Sequence, residues 1–225
     1  MLLTLLALVA PAAASEDWVA LMRAAWAEVR AYRAEERVLA RVDGRLREEI
    51  RLDVVWRAPG ETQLRWREGH DGAGRLLYHH PENFGGNARL AEGRDARRPG
   101  DILTVGPDSP SLRAVLPVPL ARVQLGWVVG EVTSRFGRSL ETLPAPKPDM
   151  IEGEPVWRIE LPGDGRSGYA KAELAWGQAS RLPVRFTTWD ASGQIQERML
   201  WTGLQVNPRV QDAKDFTLGS TTARP

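Results

Sequence analysis

The chain has 225 residues, of which 43% are hydrophobic and 26% are charged, a composition typical of a single globular domain. Thirty basic residues nearly balance 29 acidic ones, so no strong net charge would attract the protein to nucleic acid or to an anionic membrane. The lack of cysteine excludes disulfides, zinc–thiolate sites, iron–sulfur clusters, cysteine nucleophiles and an acylated lipoprotein N-terminus.

Residues 1–14 have the features of a signal peptide. The apolar run from Leu2 to Ala10 is too short to cross a bilayer, and Ala12 and Ala14 have the small side chains that a signal peptidase accepts. We therefore expect cleavage near Ala14 and a periplasmic protein that is not an integral membrane protein. No Lys or Arg precedes the apolar run, although export signals usually carry one, so a buried N-terminal strand or helix is the alternative.

The pattern after residue 15 predicts a helix and then a set of strands. Apolar residues at helical spacing form one stripe, made by Trp18, Leu21, Met22, Ala25, Trp26 and Val29. The period then falls to two, which predicts four antiparallel strands joined by short turns over residues 32–42, 50–57, 62–68 and 75–80. One strand face is apolar and aromatic, and the other is mostly arginine and acid.

Residues 81–119 break every period with paired glycines and repeated prolines. This composition predicts a long irregular lid and the most mobile part of the chain. A second helix is expected from Leu120 to about Gly137, although Gly126 and Gly130 weaken its helix propensity.

The proline-rich stretch 143–148 precedes a second set of strands. Alternating residues predict strands over 156–161, 169–176, 184–189 and 194–206, with a hairpin turn at 190–193. Strands and helices do not alternate as in βαβ proteins. The order therefore predicts the α+β class, with one curved antiparallel sheet covered by helices.

The C-terminal strands resemble those of the LolA/LolB-type periplasmic carriers. The resemblance lies in residues 176–197 with Leu182-Pro183-Val184 and the Gly193 turn, in the last strand with its Asn207-Pro208 exit, and in 215–218 with Phe216. Upstream, residues 41–46 and 119–129 resemble a related family of exported bacterial proteins of unassigned function. The likeness spans most of residues 17–218, which predicts one domain over 15–218 and a flexible tail over 219–225.

The resemblance implies a curved, unclosed β half-barrel whose helices cover its concave face and enclose a cavity for acyl chains. LolA-type carriers also use an arginine on an early strand to hold the helical lid shut. Seven arginines are candidates for that role, and the sequence does not distinguish among them: Arg33, Arg37, Arg41, Arg51, Arg57, Arg65 and Arg67.

Nine tryptophans form the main anomaly of the composition. Wide, rigid rings suit a cavity that grips varied hydrophobic chains, whereas the ordinary interpretation is that they fill the core. The aromatic and aliphatic positions of the predicted strands give the candidate ligand-binding set: Ile50, Leu52, Val54, Trp56, Leu64, Trp66, Tyr78, Trp157, Trp176 and Trp201.

The sequence contains no recognisable catalytic or metal-binding site. His70, His79 and His80 flank one turn, but His79 and His80 point to opposite strand faces, so a strand end is the expected role. No nucleophile elbow, phosphate-binding loop, dinucleotide fingerprint or zinc-protease motif occurs in the sequence. We therefore predict a protein that is not an enzyme, with no cofactor and no metal.

Two functions remain open at this point. The first is a periplasmic carrier or chaperone for a hydrophobic ligand, such as a lipid or the acyl chains of a lipoprotein. The second is a non-catalytic structural or interaction protein of the envelope, in which the helices plug the cavity and an outer surface binds a protein partner.

Overall fold

A computed structural model describes residues 17–67, 73–91, 102–137, 143–163 and 168–208. Its helices are α1 (Trp18–Ala27), α2 (Pro110–Val115) and α3 (Leu125–Phe136), with 3-10 turns at Phe84–Gly86 and Leu120–Val123. Its strands are β1 (Ala31–Val42), β2 (Arg45–Leu46), β3 (Ile50–Arg57), β4 (Glu61–Trp66), β5 (Leu76–His79), β6 (Ala88–Ala91), β7 (Ile102–Val105), β8 (Lys147–Ile151), β9 (Glu154–Pro162), β10 (Lys171–Gly177), β11 (Pro183–Trp189) and β12 (Ile195–Val206).

All described strands belong to one antiparallel sheet. The order across it is β7-β6-β5-β4-β3-β1-β12-β11-β10-β9-β8, with β2 paired to β1 beside this path. β1 lies next to β12, so the N-terminal and C-terminal strand sets join along one seam. Within the described residues β7 and β8 remain as two separate edges, which confirms the predicted open half-barrel.

The two sheet faces differ in what covers them. We call the face that packs against the helices the inner face. Alternate residues of β1, from Tyr32 to Ala40, point to the inner face. The apolar ones among them belong to a large core that also includes Trp18 and Met22 of α1 and Val128 and Val132 of α3. The outer face carries the arginines and acids and one small buried cluster, formed by Ile151, Val156, Ala175, Val184 and Leu200.

Turn chemistry explains the hairpins that the sequence predicted. Asp43 and Gly44 both have positive φ, of 50° and 75°, as the turn after β1 requires. The Asp190 carboxylate accepts hydrogen bonds from the backbone N–H groups of Ser192 and Gln194, which closes the hairpin between β11 and β12.

The expectation of an irregular stretch over 81–119 is wrong for its described parts. β6 and β7 extend the sheet there, and α2 follows, capped by Ser109. Leu90 of β6 pairs with Leu77 of β5 and both are buried, because strand pairing and burial outweigh the local breakers. Likewise β8 begins at Lys147, inside the proline-rich stretch, where Pro148 lies on an edge strand that tolerates a missing N–H donor.

The second predicted helix is present with one difference, since residues 120–123 form a 3-10 turn and α3 starts at Leu125. The signal peptide, the tail from 219 and His70 lie outside the described residues.

Candidate ligand-binding face and rim pocket

The register of the strands shows which candidate residues share a face. Val54 is opposite Leu64, Leu52 is opposite Trp66, and Ile50 is opposite the buried Val38. On the other side of the seam, Trp201 is adjacent to the inner-face residue Glu36. Trp176 pairs with Trp157 and stacks on Trp18 of α1, with ring centroids 4.7 Å apart. Trp56 also lies there, opposite Tyr32, so nine of the ten candidates lie on the inner face.

Tyr78 is the exception, and its predicted place on the inner face is wrong. It pairs with Gln63 on the outer face, while Leu77 beside it takes the inner position opposite Leu64. The outer face suits the phenol because its hydroxyl donates a hydrogen bond to Glu61 Oε1 at 2.9 Å. Burial, followed by the Glu61 carboxylate, raises the pKa of Tyr78 to about 12.

The helices pack closely over this aromatic face. The Trp26 ring of α1 lies 5.0 Å from the Trp56 ring, and Trp127 of α3 meets Phe186 edge to face. Leu52, Trp66 and Trp201 are each at most 2% exposed. In this conformation the candidate wall is therefore covered by protein.

A few polar contacts join this helical layer to the sheet. Trp66 Nε1 donates to the Val115 carbonyl at the end of α2, and Leu125 N–H donates to the Tyr32 hydroxyl at 3.1 Å. Arg122 forms an ion pair with Glu197 of β12. This ion pair comes from an arginine of the helical layer and not from one of the seven early-strand arginines. Early-strand arginines Arg37 and Arg67 instead pair with Glu35 on the outer face.

Glu36 is a functional candidate that the sequence analysis did not single out. Its side chain is 0% exposed on the inner face, between Leu52 and Trp201, and neither carboxyl oxygen has a hydrogen-bond partner. Burial raises the pKa of Glu36 well above its usual range; the nearby Trp201 indole favours the charged form more weakly. The signal was the strand alternation, which placed one acid among apolar residues.

A pocket of about 740 Å³ lies at the end of the inner face. We call it the rim pocket; it is bounded by residues 42–50, Arg75 and residues 113–117. Its charged lining consists of four arginines and two acids: Arg45, Arg47, Arg75, Arg113, Asp43 and Glu48. Ile50 and Val115 supply apolar lining and also pack against the main core, so the pocket adjoins the covered face.

The described part of the chain contains neither a helix that could span a membrane nor a cluster of metal-binding side chains. None of its helices has the length and hydropathy needed to cross a bilayer. None of its histidines, aspartates and glutamates form a group of three or more that could hold a metal ion.

No protein-family profile matches the chain, and no curated protein matches it by sequence. Among solved structures it is similar to MucB, at 15% identity and a TM-score of 0.52, over 91% of this chain and 62% of MucB. It is also similar to the Mycobacterium tuberculosis lipoprotein LppX, at 18% identity and a TM-score of 0.48, over 88% of this chain and all of LppX. A LolA superfamily protein from Nitrosomonas europaea aligns over 88% of this chain and 97% of its own, at 15% identity and a TM-score of 0.32.

These likenesses concern the fold. The open antiparallel sheet with its helical cover, together with the fold-level likeness to MucB, confirms the unclosed half-barrel that the sequence predicted. At such identities they assign no ligand to this chain.

Proposed function

We propose that this chain is an exported, non-catalytic carrier that holds a hydrophobic ligand between the inner face of its sheet and its helices. The observation that carries the proposal is the inner face itself. Large apolar rings from both strand sets lie under helices that, among the described residues, separate polar contacts tie to the sheet at Tyr32, Thr62, Trp66 and Glu197. Movement of those helices would expose a continuous aromatic wall suited to lipid or lipoprotein acyl chains.

The alternative is a structural or interaction protein of the envelope with a permanently filled interior. One observation favours it: the helix side chains already occupy the inner face, as in the Trp18–Trp176 stack and the Trp26–Trp56 contact. The two functions differ in the free-energy cost of moving the helices away from the sheet, which is moderate for a carrier and high for a permanently filled interior.

Ligand retention separates the two functions. The protein purified from its own periplasm is examined by native mass spectrometry, and the purified apo form is then titrated with a fluorescent fatty acid. A carrier retains lipid-sized adducts or takes up the probe. A clean apo mass together with no uptake would contradict the carrier function and support the filled interior.

A matched pair of glycine variants in α3 sharpens this test. A Cβ at Gly126 would lie 2.5 Å from the Trp26 ring, whereas a Cβ at Gly130 would meet nothing within 4 Å. Gly126→Ala therefore loosens α1 against α3 while Gly130→Ala does not. For a carrier, we expect Gly126→Ala to take up the probe faster than Gly130→Ala and the unchanged chain; equal rates in all three would count against a helical gate.

Export is part of this proposal. Intact-mass measurement of the protein from its native host should show removal of residues 1–14. Retention of those residues would contradict the proposed periplasmic location.

A further inference from the structure

The rim pocket brings several arginines together without an acid paired to each of them. On the outer face, arginines pair with acids, as Arg158 and Arg185 do with Glu173. In the rim pocket the side chains of Arg45, Arg47 and Arg113 have no hydrogen bond or ion pair within the described structure. Unpaired guanidinium groups gathered around one cavity attract an anion.

Arg113 is the best positioned of these cations. Its Nη1 atom is buried and has no hydrogen-bond partner, which is unfavourable unless a ligand supplies an acceptor. The side chain projects from α2, which Ser109 caps and the buried Leu112 anchors. Trp66 Nε1 also donates to the Val115 carbonyl, so this cation is held on a structure fixed to the sheet.

The pocket also has an apolar side that leads inward. Leu46 is 46% exposed at the pocket, while Ile50 and Val115 connect its lining with the core around Trp66. Its volume is in the range of small-molecule sites, roughly 300–1,000 Å³. A ligand with a charged head and a hydrophobic chain matches this division, with the head at the arginines and the chain directed along Ile50 toward the inner face.

We infer that the rim pocket binds the anionic head group, a phosphate or carboxylate, of an amphiphile whose chain enters beneath the helices. This inference rests on the proposed carrier function and adds the charge of the ligand to it. Arg113 and Arg45 contact the head group, because a guanidinium presents paired N–H donors to a phosphate or carboxylate.

The experiment measures dissociation constants of dodecyl phosphate, dodecanol and inorganic phosphate for the mature protein, below the micellar concentration of the amphiphiles. We expect dodecyl phosphate to bind at least tenfold more tightly than dodecanol. Inorganic phosphate at millimolar concentration should not displace it, because the chain contributes most of the binding. Full displacement by inorganic phosphate would show a site for a free anion and overturn the inference.

Two double variants with equal charge change test the residues. Arg45→Gln with Arg113→Gln should weaken dodecyl phosphate binding at least tenfold and leave dodecanol binding unchanged. Arg23→Gln with Arg51→Gln removes two exposed arginines away from the pocket and should change neither constant. Melting temperatures confirm that both variants are folded.

The outcomes separate this inference from the carrier function. If the Arg45→Gln, Arg113→Gln variant binds both dodecyl phosphate and dodecanol as the unchanged chain does, the anionic site is refuted. The carrier function would remain supported in that case. Equal weakening in both double variants would indicate only general charge attraction and would also refute the anionic site. Arginine-dependent binding of inorganic phosphate without any binding of dodecyl chains would refute the carrier function, and with it the lipid head-group assignment.

Discussion

The carboxyl group of Glu36 lies buried among leucine and tryptophan side chains, and neither of its oxygens accepts a hydrogen bond. Burial disfavours its charged form, so the pKa of Glu36 in the folded protein is raised above its ordinary value of about 4.5. The folded chain consequently holds a proton that the unfolded chain releases. The free energy of unfolding then decreases as pH rises from about 4.5 to the folded pKa.

We predict that Glu36→Gln removes this dependence. Within that pH window the unchanged chain should lose up to about 1.4 kcal/mol of stability per pH unit relative to the variant, the value for one proton. The variant should therefore be the more stable of the two at pH 8, while the difference should be small at pH 4. Urea unfolding at several pH values measures it, and parallel stability curves would contradict the buried neutral acid.

The difference between the two proteins isolates Glu36 from other titrating groups. His79 has a pKa lowered by burial, so its effect has the opposite sign, with stability lost as pH falls below about 6.5. Because His79 is present in both proteins, its contribution cancels in the comparison.

Asn207 joins the end of β12 to the start of β1. Its Oδ1 accepts hydrogen bonds from the backbone N–H groups of Arg30 and Ala31, and its Nδ2 donates to the Glu28 carbonyl. Asn207 has φ of 47°, a left-handed conformation that asparagine tolerates better than most residues. This network gives Asn207 a structural role at the seam between β1 and β12.

We predict that Asn207→Ala destabilises the protein by about 1–3 kcal/mol, because it leaves three backbone groups without a side-chain partner. Asn207→Asp, which keeps the acceptor and removes the donor, should have a smaller effect. Chemical denaturation of both variants checks this order. A loss below about 0.5 kcal/mol for alanine would mean that water replaces the network.

At the scale of elements, the contact between α1 and α3 depends on one missing side chain. Gly126 allows the Trp26 ring to approach the α3 backbone, and that ring packs in turn against Tyr32 and Trp56. The ring cannot move aside without disturbing this aromatic cluster.

We predict opposite signs for two alanine substitutions in α3. Gly126→Ala should destabilise the protein by about 1–3 kcal/mol through overpacking, even though alanine favours a helix. Position 130 is exposed and nothing lies within 4 Å of an added Cβ, so Gly130→Ala should stabilise the protein by about 0.5–1 kcal/mol. Thermal unfolding of both variants provides the measurement, and stabilisation by both would show that α1 and α3 are not tightly packed in solution.

At the scale of the whole molecule, residues 102–119 of the segment between the two strand sets contribute to the core. Leu112, Leu116 and Val118 are fully buried there, and Leu116 N–H donates to the Leu112 carbonyl at 2.8 Å. The sequence had predicted that residues 81–119 are the most mobile part of the chain.

We now predict amide exchange at Leu90 and Leu116 within about tenfold of that at Leu52 of β3, because buried, hydrogen-bonded amides exchange only through larger openings. Exchange measured residue by residue checks this. Fast exchange at both positions, with Leu52 protected, would instead favour the mobile segment expected from the composition.

Only the resemblance to LolA-type carriers predicted that the sheet is unclosed. The sequence pattern by itself determined the helix at 18–27, eight of the strands and their antiparallel arrangement. These follow from local periodicity and turn residues, such as the alternation in β3 and the Asp43-Gly44 turn, which depend little on distant parts of the chain. Nine of the ten candidate residues lie together on the inner face for the same reason, and their role in ligand binding stays a prediction.

Only the tertiary structure decided the remaining features, because each depends on groups distant in sequence. The β4–β5 register put Tyr78 outside and Leu77 inside. β6, β7 and β8 exist because neighbouring strands complete their hydrogen bonds despite prolines and glycines. The unpartnered Glu36 and the rim pocket arise where strands and helices from separate parts of the chain meet, and no local pattern records which groups a fold leaves unsatisfied.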